Sequence, residues 1–193
     1  MQICLYGASS NELDAVYLDS AYDLGRMLAQ RGHSLVYGGG AQGVMGAVAR
    51  GVHDGGGKIT GVAPKFLNVD GILYDRCNEL IFTDTMAERK GIMAGRAEAF
   101  IMAPGGVGTF EEFFEILTLK QLGRHNRPIV VYNVNGYYAP MQQMLEHAVH
   151  ERFVREPCLQ IYRLASEPAA VLDYLETYDA SDRKSTRLNS SHS

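Results

Sequence analysis

Three residues in the middle of the chain are of types and spacing that could do chemistry: Arg89, Thr109 and Glu112. Thr109 and Glu112 lie in the stretch Pro104-Gly105-Gly106-Val107-Gly108-Thr109-Phe110-Glu111-Glu112. The apolar run before it, Ala99 to Ala103, is short and bounded by glycine and proline, as a buried parallel strand would be. After the glycines, Phe110, Phe113, Phe114 and Leu117 recur at helical spacing. Strand, glycine turn and helix in that order set bare backbone N–H groups at a helix N-terminus, where a phosphate binds. Gly105 to Thr109 are therefore read as an anion site.

Thr-x-x-Glu before an apolar run also spells a capping box, and Thr85-Met86-Ala87-Glu88 spells a second one. Thr109 thus has two readings, as a helix cap or as part of the phosphate site. Glu112 is more telling. At about 100° per residue it falls on the side of Ile116 and Leu119, away from the phenylalanine face. A carboxylate beside a phosphate turn and shielded from water is a candidate for chemistry.

On the preceding helix Met86, Arg89, Met93 and Arg96 form one stripe. A helix between two parallel strands begins near the C-terminal edge of the sheet, where the glycine turn also lies. Arg89, in its first turns, is placed near Glu112; Arg96, farther along, is assigned to structure.

The elements that must position these groups follow in order. Gln2 to Tyr6 reads as the first strand, ending in Gly7-Ala8-Ser9-Ser10-Asn11, whose hydroxyls make Ser9 a candidate substrate contact. A helix from about Leu13 to Arg31 and a strand Ser34 to Tyr37 lead into Gly38-Gly39-Gly40-Ala41-Gln42-Gly43. This matches G-x-G-x-x-G, yet no acidic residue ends the next strand, Lys58 to Val62, so it is read as backbone approach to a mononucleotide through Gly39 and Gly40. An irregular segment covers Pro64 to Asn78. Strands follow at Glu79–Thr83 and Pro128–Tyr132, a helix at about Tyr138–Glu151, a short edge strand at Cys158–Tyr162 and a closing helix at Glu167–Tyr178. The pattern predicts one α/β domain over residues 1–180: a doubly wound, Rossmann-like parallel sheet with helices on both faces.

Composition narrows the function. The chain has 193 residues and a net charge of −4, which argues against nucleic-acid or membrane-surface binding. No apolar run approaches a membrane span and no signal peptide is recognised, so a cytoplasmic protein is expected. Cys4, Cys77 and Cys158 are too dispersed for a zinc site and suit a reducing compartment. His147 and His150 lie late in a helix and are read as structural, so no metal is expected. The polar, serine-rich stretch 181–193 is read as a non-native or disordered tail.

Thr83-Asp84-Thr85-Met86-Ala87-Glu88-Arg89-Lys90, followed by Pro104-Gly105-Gly106-Val107-Gly108-Thr109-Phe110-Glu111-Glu112, resembles the LONELY GUY family, long labelled lysine decarboxylase-like. Gly38-Gly39-Gly40 through Met45-Gly46 and Gly7-Ala8-Ser9-Ser10 also match, so the resemblance runs from residue 1 to about 178. It implies a cytokinin riboside 5′-monophosphate phosphoribohydrolase, which hydrolyses the N-glycosidic bond of an N6-substituted AMP, or AMP itself, without a cofactor. Carried over by motif, Arg89 and Glu112 are catalytic. Met86, Lys90, Gly106, Gly108 and Thr109 join Ser9, Gly39, Gly40 and Gly105 as substrate contacts. Ala8 and Val107 depart from the usual glycine and aromatic. The alternatives are a broader nucleotide nucleosidase and a non-catalytic nucleotide or molybdenum-cofactor binder; a pyridoxal-phosphate decarboxylase would need a Schiff-base lysine that only Lys90 could supply. A homodimer is expected, because Ile116 and Leu119 would be left uncovered if the phenylalanine face packs on the sheet.

Overall fold

The computed structural model describes residues 1–181. Strands β1 (Gln2–Tyr6), β2 (Ser34–Tyr37), β3 (Ile59–Pro64), β4 (Glu79–Thr83), β5 (Ala99–Met102), β6 (Ile129–Tyr132) and β7 (Arg163–Ala165) form one sheet in the order β4-β3-β2-β1-β5-β6-β7, and all six pairings are parallel. Helices α1 (Ala15–Gln30), α2 (Gly43–Asp54), α3 (Met86–Arg96), α4 (Val107–Gln121), α5 (Ala139–His150) and α6 (Pro168–Thr177) complete the doubly wound arrangement predicted from the pattern.

Strand alternation divides the core in two. Ile3 and Leu5 of β1, with Leu35, Tyr37 and Ile101, meet α1, α2 and α6 on one face. Cys4 and Tyr6, with Val36, Phe100 and Met102, meet α3, α4 and α5 on the other. The chain runs outward from β1 to β4, then crosses back to β5 and continues the opposite way. The switch point is thus between β1 and β5, and ligands of open parallel sheets bind in the crevice that opens at the carboxyl ends there.

Two expectations are corrected. Cys158–Tyr162 is not the edge strand: Glu156–Gln160 is a 3-10 turn that buries Cys158, and the strand forms afterwards at Arg163–Ala165, where Val130–Arg163 and Val131–Leu164 come into register. The sheet-facing stripe of α4 is also turned from the expected one. Thr109, Phe113, Ile116, Leu117 and Lys120 are buried, whereas Phe114 is 38% exposed. Phe110 goes to the ring of Tyr138, which leaves Ile116 to fill the space against the sheet. Most of the expected tail, 182–193, lies outside the described residues.

The two look-alike Thr-x-x-Glu motifs have different fates. Thr85 is the N-cap of α3: its hydroxyl accepts from the Glu88 N–H at 3.1 Å, and Glu88 accepts from the Asp84 N–H at 3.0 Å. Helix α4 instead begins at Val107 with Gly106 as N-cap, so Thr109 and Glu112 are inside it and cap nothing. Thr85→Ala is expected to lower stability by about 1 kcal/mol in urea unfolding. Substitution of Glu112 should show no loss attributable to a cap.

Candidate active site

A cavity of about 360 Å³ opens at the switch point, lined by Tyr6 to Ser10 after β1, by Gly38 and Met45, by Met86, Arg89 and Met93 of α3, and by Gly106, Gly108, Thr109 and Glu112. This is an ordinary size for a small-ligand site. A neighbouring cavity of similar volume at the ends of β6 and β7 is lined by Asp23 and Glu167 with no basic side chain, and is unsuited to an anion.

One end of the first cavity is built to present N–H groups. Carbonyls of the turn after β5 are held from behind: Ala103 accepts from the Tyr138 hydroxyl at 2.6 Å, Pro104 from the Ala8 N–H at 3.0 Å, and Gly105 from the Tyr137 hydroxyl at 2.5 Å. The first N–H groups of α4 have no partner within the helix and carry the positive end of its dipole. Gly105 serves packing: a Cβ there would lie 2.1 Å from the Thr109 hydroxyl oxygen. Gly106, Gly108 and Ser9 are exposed at the cavity wall, and Thr109 is buried there.

Arg89 lines the same cavity. Its Nε donates to the Val62 carbonyl at 2.8 Å and its Nη2 to the Gly38 carbonyl at 2.6 Å, so main chain from β3 and from the turn after β2 grips the guanidinium. Nη1 lies 3.6 Å from the Met86 sulfur. Burial pushes the Arg89 pKa down, and the nearby Glu112 carboxylate counters this. Arg89 remains a cation at any working pH.

Glu112 lines the same cavity, one turn along α4 from the glycine turn. Burial raises its pKa to about 7 and the attraction of Arg89 lowers it, while the charges of Glu111 and Glu115 push it up. A carboxyl poised near neutrality beside a fixed cation and an anion site suits proton transfer or stabilisation of a cationic centre.

Of the residues expected from the sequence, the structure brings Ser9, Met86, Arg89, Gly106, Gly108, Thr109 and Glu112 to one cavity. Lys90 is elsewhere, its ammonium on the carboxylates of Glu111 and Glu115. Gly39 and Gly40 do not line the cavity either: their carbonyls accept from the Tyr74 N–H and the Tyr37 hydroxyl, both at 2.9 Å. Arg96 pairs with Glu79, as its structural assignment required. Sequence reasoning did not place Tyr6 or Met45 here. The alternation of β1 carried the signal for Tyr6, which ends that strand on the α3–α4 face.

A protein-family profile described as "Possible lysine decarboxylase" matches residues 45–175. The cytokinin riboside 5′-monophosphate phosphoribohydrolase LOG of Oryza sativa subsp. japonica is 41% identical over 177 residues, 92% of this chain and 73% of that one. The chain belongs to the LONELY GUY family. LOG2 of Arabidopsis thaliana, also a cytokinin riboside 5′-monophosphate phosphoribohydrolase, is 40% identical across 92% of this chain and 83% of its own. Among solved structures, the molybdenum cofactor carrier protein of Chlamydomonas reinhardtii superimposes with a TM-score of 0.70 at 22% identity, covering 91% of this chain and 95% of that one. The molybdenum cofactor binding protein of Rippkaea orientalis gives 0.68 at 19%, with coverage of 91% and 93%. At these identities the likeness establishes the fold and nothing more. In this LONELY GUY chain the strand–turn–helix around Glu112 lies within the residues that the family profile matches.

The raised Glu112 pKa has a consequence for stability. The folded protein binds the Glu112 proton more tightly than the unfolded chain, whose pKa is near 4.5. Its contribution to stability is therefore complete below pH ~4.5 and is lost as pH rises through about 7. Glu112→Gln, which has no charge to bury, should be more stable than the parent at pH 8 by roughly 1–3 kcal/mol, the gap closing by pH 5. Denaturant unfolding at the two pH values measures this.

Proposed function

We propose that the protein hydrolyses the N-glycosidic bond of purine nucleoside 5′-monophosphates, AMP and its N6-substituted cytokinin forms, releasing the free base and ribose 5-phosphate. The observation that carries the reading is that one cavity gathers the N-terminus of α4, the Glu112 carboxyl and the Arg89 guanidinium. A nucleotide asks for the same three: N–H groups for its phosphate, a carboxylate for the sugar and a cation for the departing base. The relatives at about 40% identity that are named phosphoribohydrolases support it.

In this reading the 5′-phosphate rests on the N–H groups of Gly108 and Thr109 with Ser9 beside them. Cleavage of the C1′–N9 bond sends its electron pair to the base and leaves positive charge on the sugar. Glu112, as carboxylate, faces that charge and takes a proton from the water that adds to C1′, as carboxylates do in glycosidases. The departing base gains its proton from solvent, and Glu112 returns its own to solvent. Arg89 lines the cavity with Gly38, Met45, Met86 and Met93, and its role is electrostatic, toward the departing base. A guanidinium does not donate its proton at working pH. The three methionines give the base end a soft, adaptable wall. A non-catalytic carrier would leave the charged pair at this position without a task.

The same reading includes a homodimer, with the face corrected from the one expected. Ile116 is buried, but Met86 on α3, Val107, Phe114 and Leu119 on α4, and Leu122 at its end remain exposed, and Met86 also lines the cavity. A second copy would cover them and stand next to the site. The three free thiols fit a cytoplasmic location. Among the described residues no helix is long and apolar enough to cross a membrane.

Two measurements test these statements. Chromatography of free bases released from AMP, N6-isopentenyl-AMP and the matching nucleosides should show monophosphates cleaved at least ~100-fold more efficiently, because the anion site contributes only when a phosphate is present; equal turnover of AMP and adenosine would refute the assignment. Sedimentation at micromolar concentration should give a dimer that Phe114→Glu weakens. A fully active monomer would remove the interface.

A further inference from the structure

The turn after β2 carries three successive buried glycines, and its carbonyls are spoken for: Gly38 by Arg89, Gly39 by Tyr74 and Gly40 by Tyr37. Those carbonyls are therefore not available to a ligand. What the turn offers is room. A Cβ on Gly38 would stand 1.9 Å from Arg89 Nη2, 2.8 Å from Cζ and 3.3 Å from Nε. The three nearest atoms are thus all from one guanidinium, the far end of a flexible side chain. Gly39, at φ 78°, needs glycine for its backbone, whereas Gly38 is not among the glycines with positive φ. The missing side chain at 38 therefore answers to Arg89 and to no backbone requirement.

We propose that Gly38 is a positioning residue for catalysis: the glycine turn is a socket that receives the Arg89 guanidinium and aims it at the cavity. The loop from Pro64 to Asn78 closes the socket from outside. Ala41 donates to the Ile72 carbonyl at 2.9 Å, Tyr74 donates to Gly39 at 2.9 Å, and Leu73 bridges to Gly40. Arg89 is thereby gripped by main chain, with Val62 as the second acceptor, and among the described residues no carboxylate is hydrogen-bonded to it to cancel its charge. Any side chain at 38 expels the guanidinium from that grip while leaving the sheet, the phosphate turn and Glu112 in place. This inference rests on the phosphoribohydrolase reading for its catalytic part and on packing alone for its structural part.

A double-mutant cycle of Gly38→Ala and Arg89→Ala tests both parts. Base release from AMP gives kcat and KM, thermal unfolding gives Tm, and calorimetry gives the affinity for ribose 5-phosphate. Gly38→Ala should lower kcat roughly 100-fold, on the scale of losing one preorganised electrostatic group, while ribose 5-phosphate binds within about twofold of the parent. It should lower Tm in the parent background but not in Arg89→Ala, where the clash is gone. Added to Arg89→Ala, it should change kcat less than about twofold. Wild-type kcat in Gly38→Ala, or equal losses of kcat in both backgrounds, overturns the proposal. If no nucleotide is hydrolysed at all, the function reading fails separately. The Tm cycle then still decides whether the socket exists, and an equal Tm loss in both backgrounds refutes it.

Discussion

A guanidinium withdrawn from water loses several kcal/mol of hydration, and the protein must return most of it through fixed acceptors. For Arg89 the acceptors are main-chain carbonyls at the ends of two neighbouring strands. Each hydrogen bond from a charged donor is worth about 1.5–3 kcal/mol, so two offset much of the loss without adding a negative charge. The cation is thus anchored and still electrostatically unspent. The geometry depends on the parallel sheet: only at its carboxyl edge do successive strands expose carbonyls to a helix that begins above them.

Glu112 experiences the same low-dielectric space from the opposite side. Burial disfavours its charge and the field of Arg89 favours it, and the balance leaves the carboxyl near neutrality. Had the two groups been joined in a tight salt bridge, each would have been neutralised by the other and neither would act on a ligand. The separation comes from their helices. Arg89 is drawn down onto β2 and β3, whereas Glu112 rises from α4, which starts over β5. Lys90, next along the chain, goes the other way and ties α3 to α4 through Glu111 and Glu115. The two helices that carry the charges are therefore held at a set spacing by a third pair of groups on their outer side.

Much of this was legible before any coordinates. Short apolar runs, each followed by a glycine turn and a helical period, carry the doubly wound fold, because a strand buried on both faces can only be apolar throughout. The pairing of Arg89 with Glu112 was legible from where a βαβ unit puts helix starts. What local pattern could not carry was tertiary. Glu112 and Glu88 sit in identical Thr-x-x-Glu contexts, and only the actual helix start, Thr85 against Gly106, separates a cap from a carboxyl that lines the cavity. The rotation of α4 is tertiary too: Phe110 meets the ring of Tyr138, far along the chain, Ile116 joins the same core, and Phe114 is left partly exposed. Gly38 looked like a nucleotide turn because close approach of a ligand and close approach of a side chain demand the same residue.

The cavity wall is drawn entirely from Leu5 to Glu112. Beyond α4 the chain reaches the site through the phenols of Tyr137 and Tyr138, which hold the turn after β5 from behind. The rest of that segment closes the sheet and adds a helix to each of its faces, α6 to one and α5 to the other. Selection on substrate preference and selection on the stability of the far half of the sheet therefore act on different parts of this polypeptide. A lineage can rewrite α5, β7 and α6 to suit a new partner or temperature while its chemistry stays put, provided two hydroxyls survive the revision.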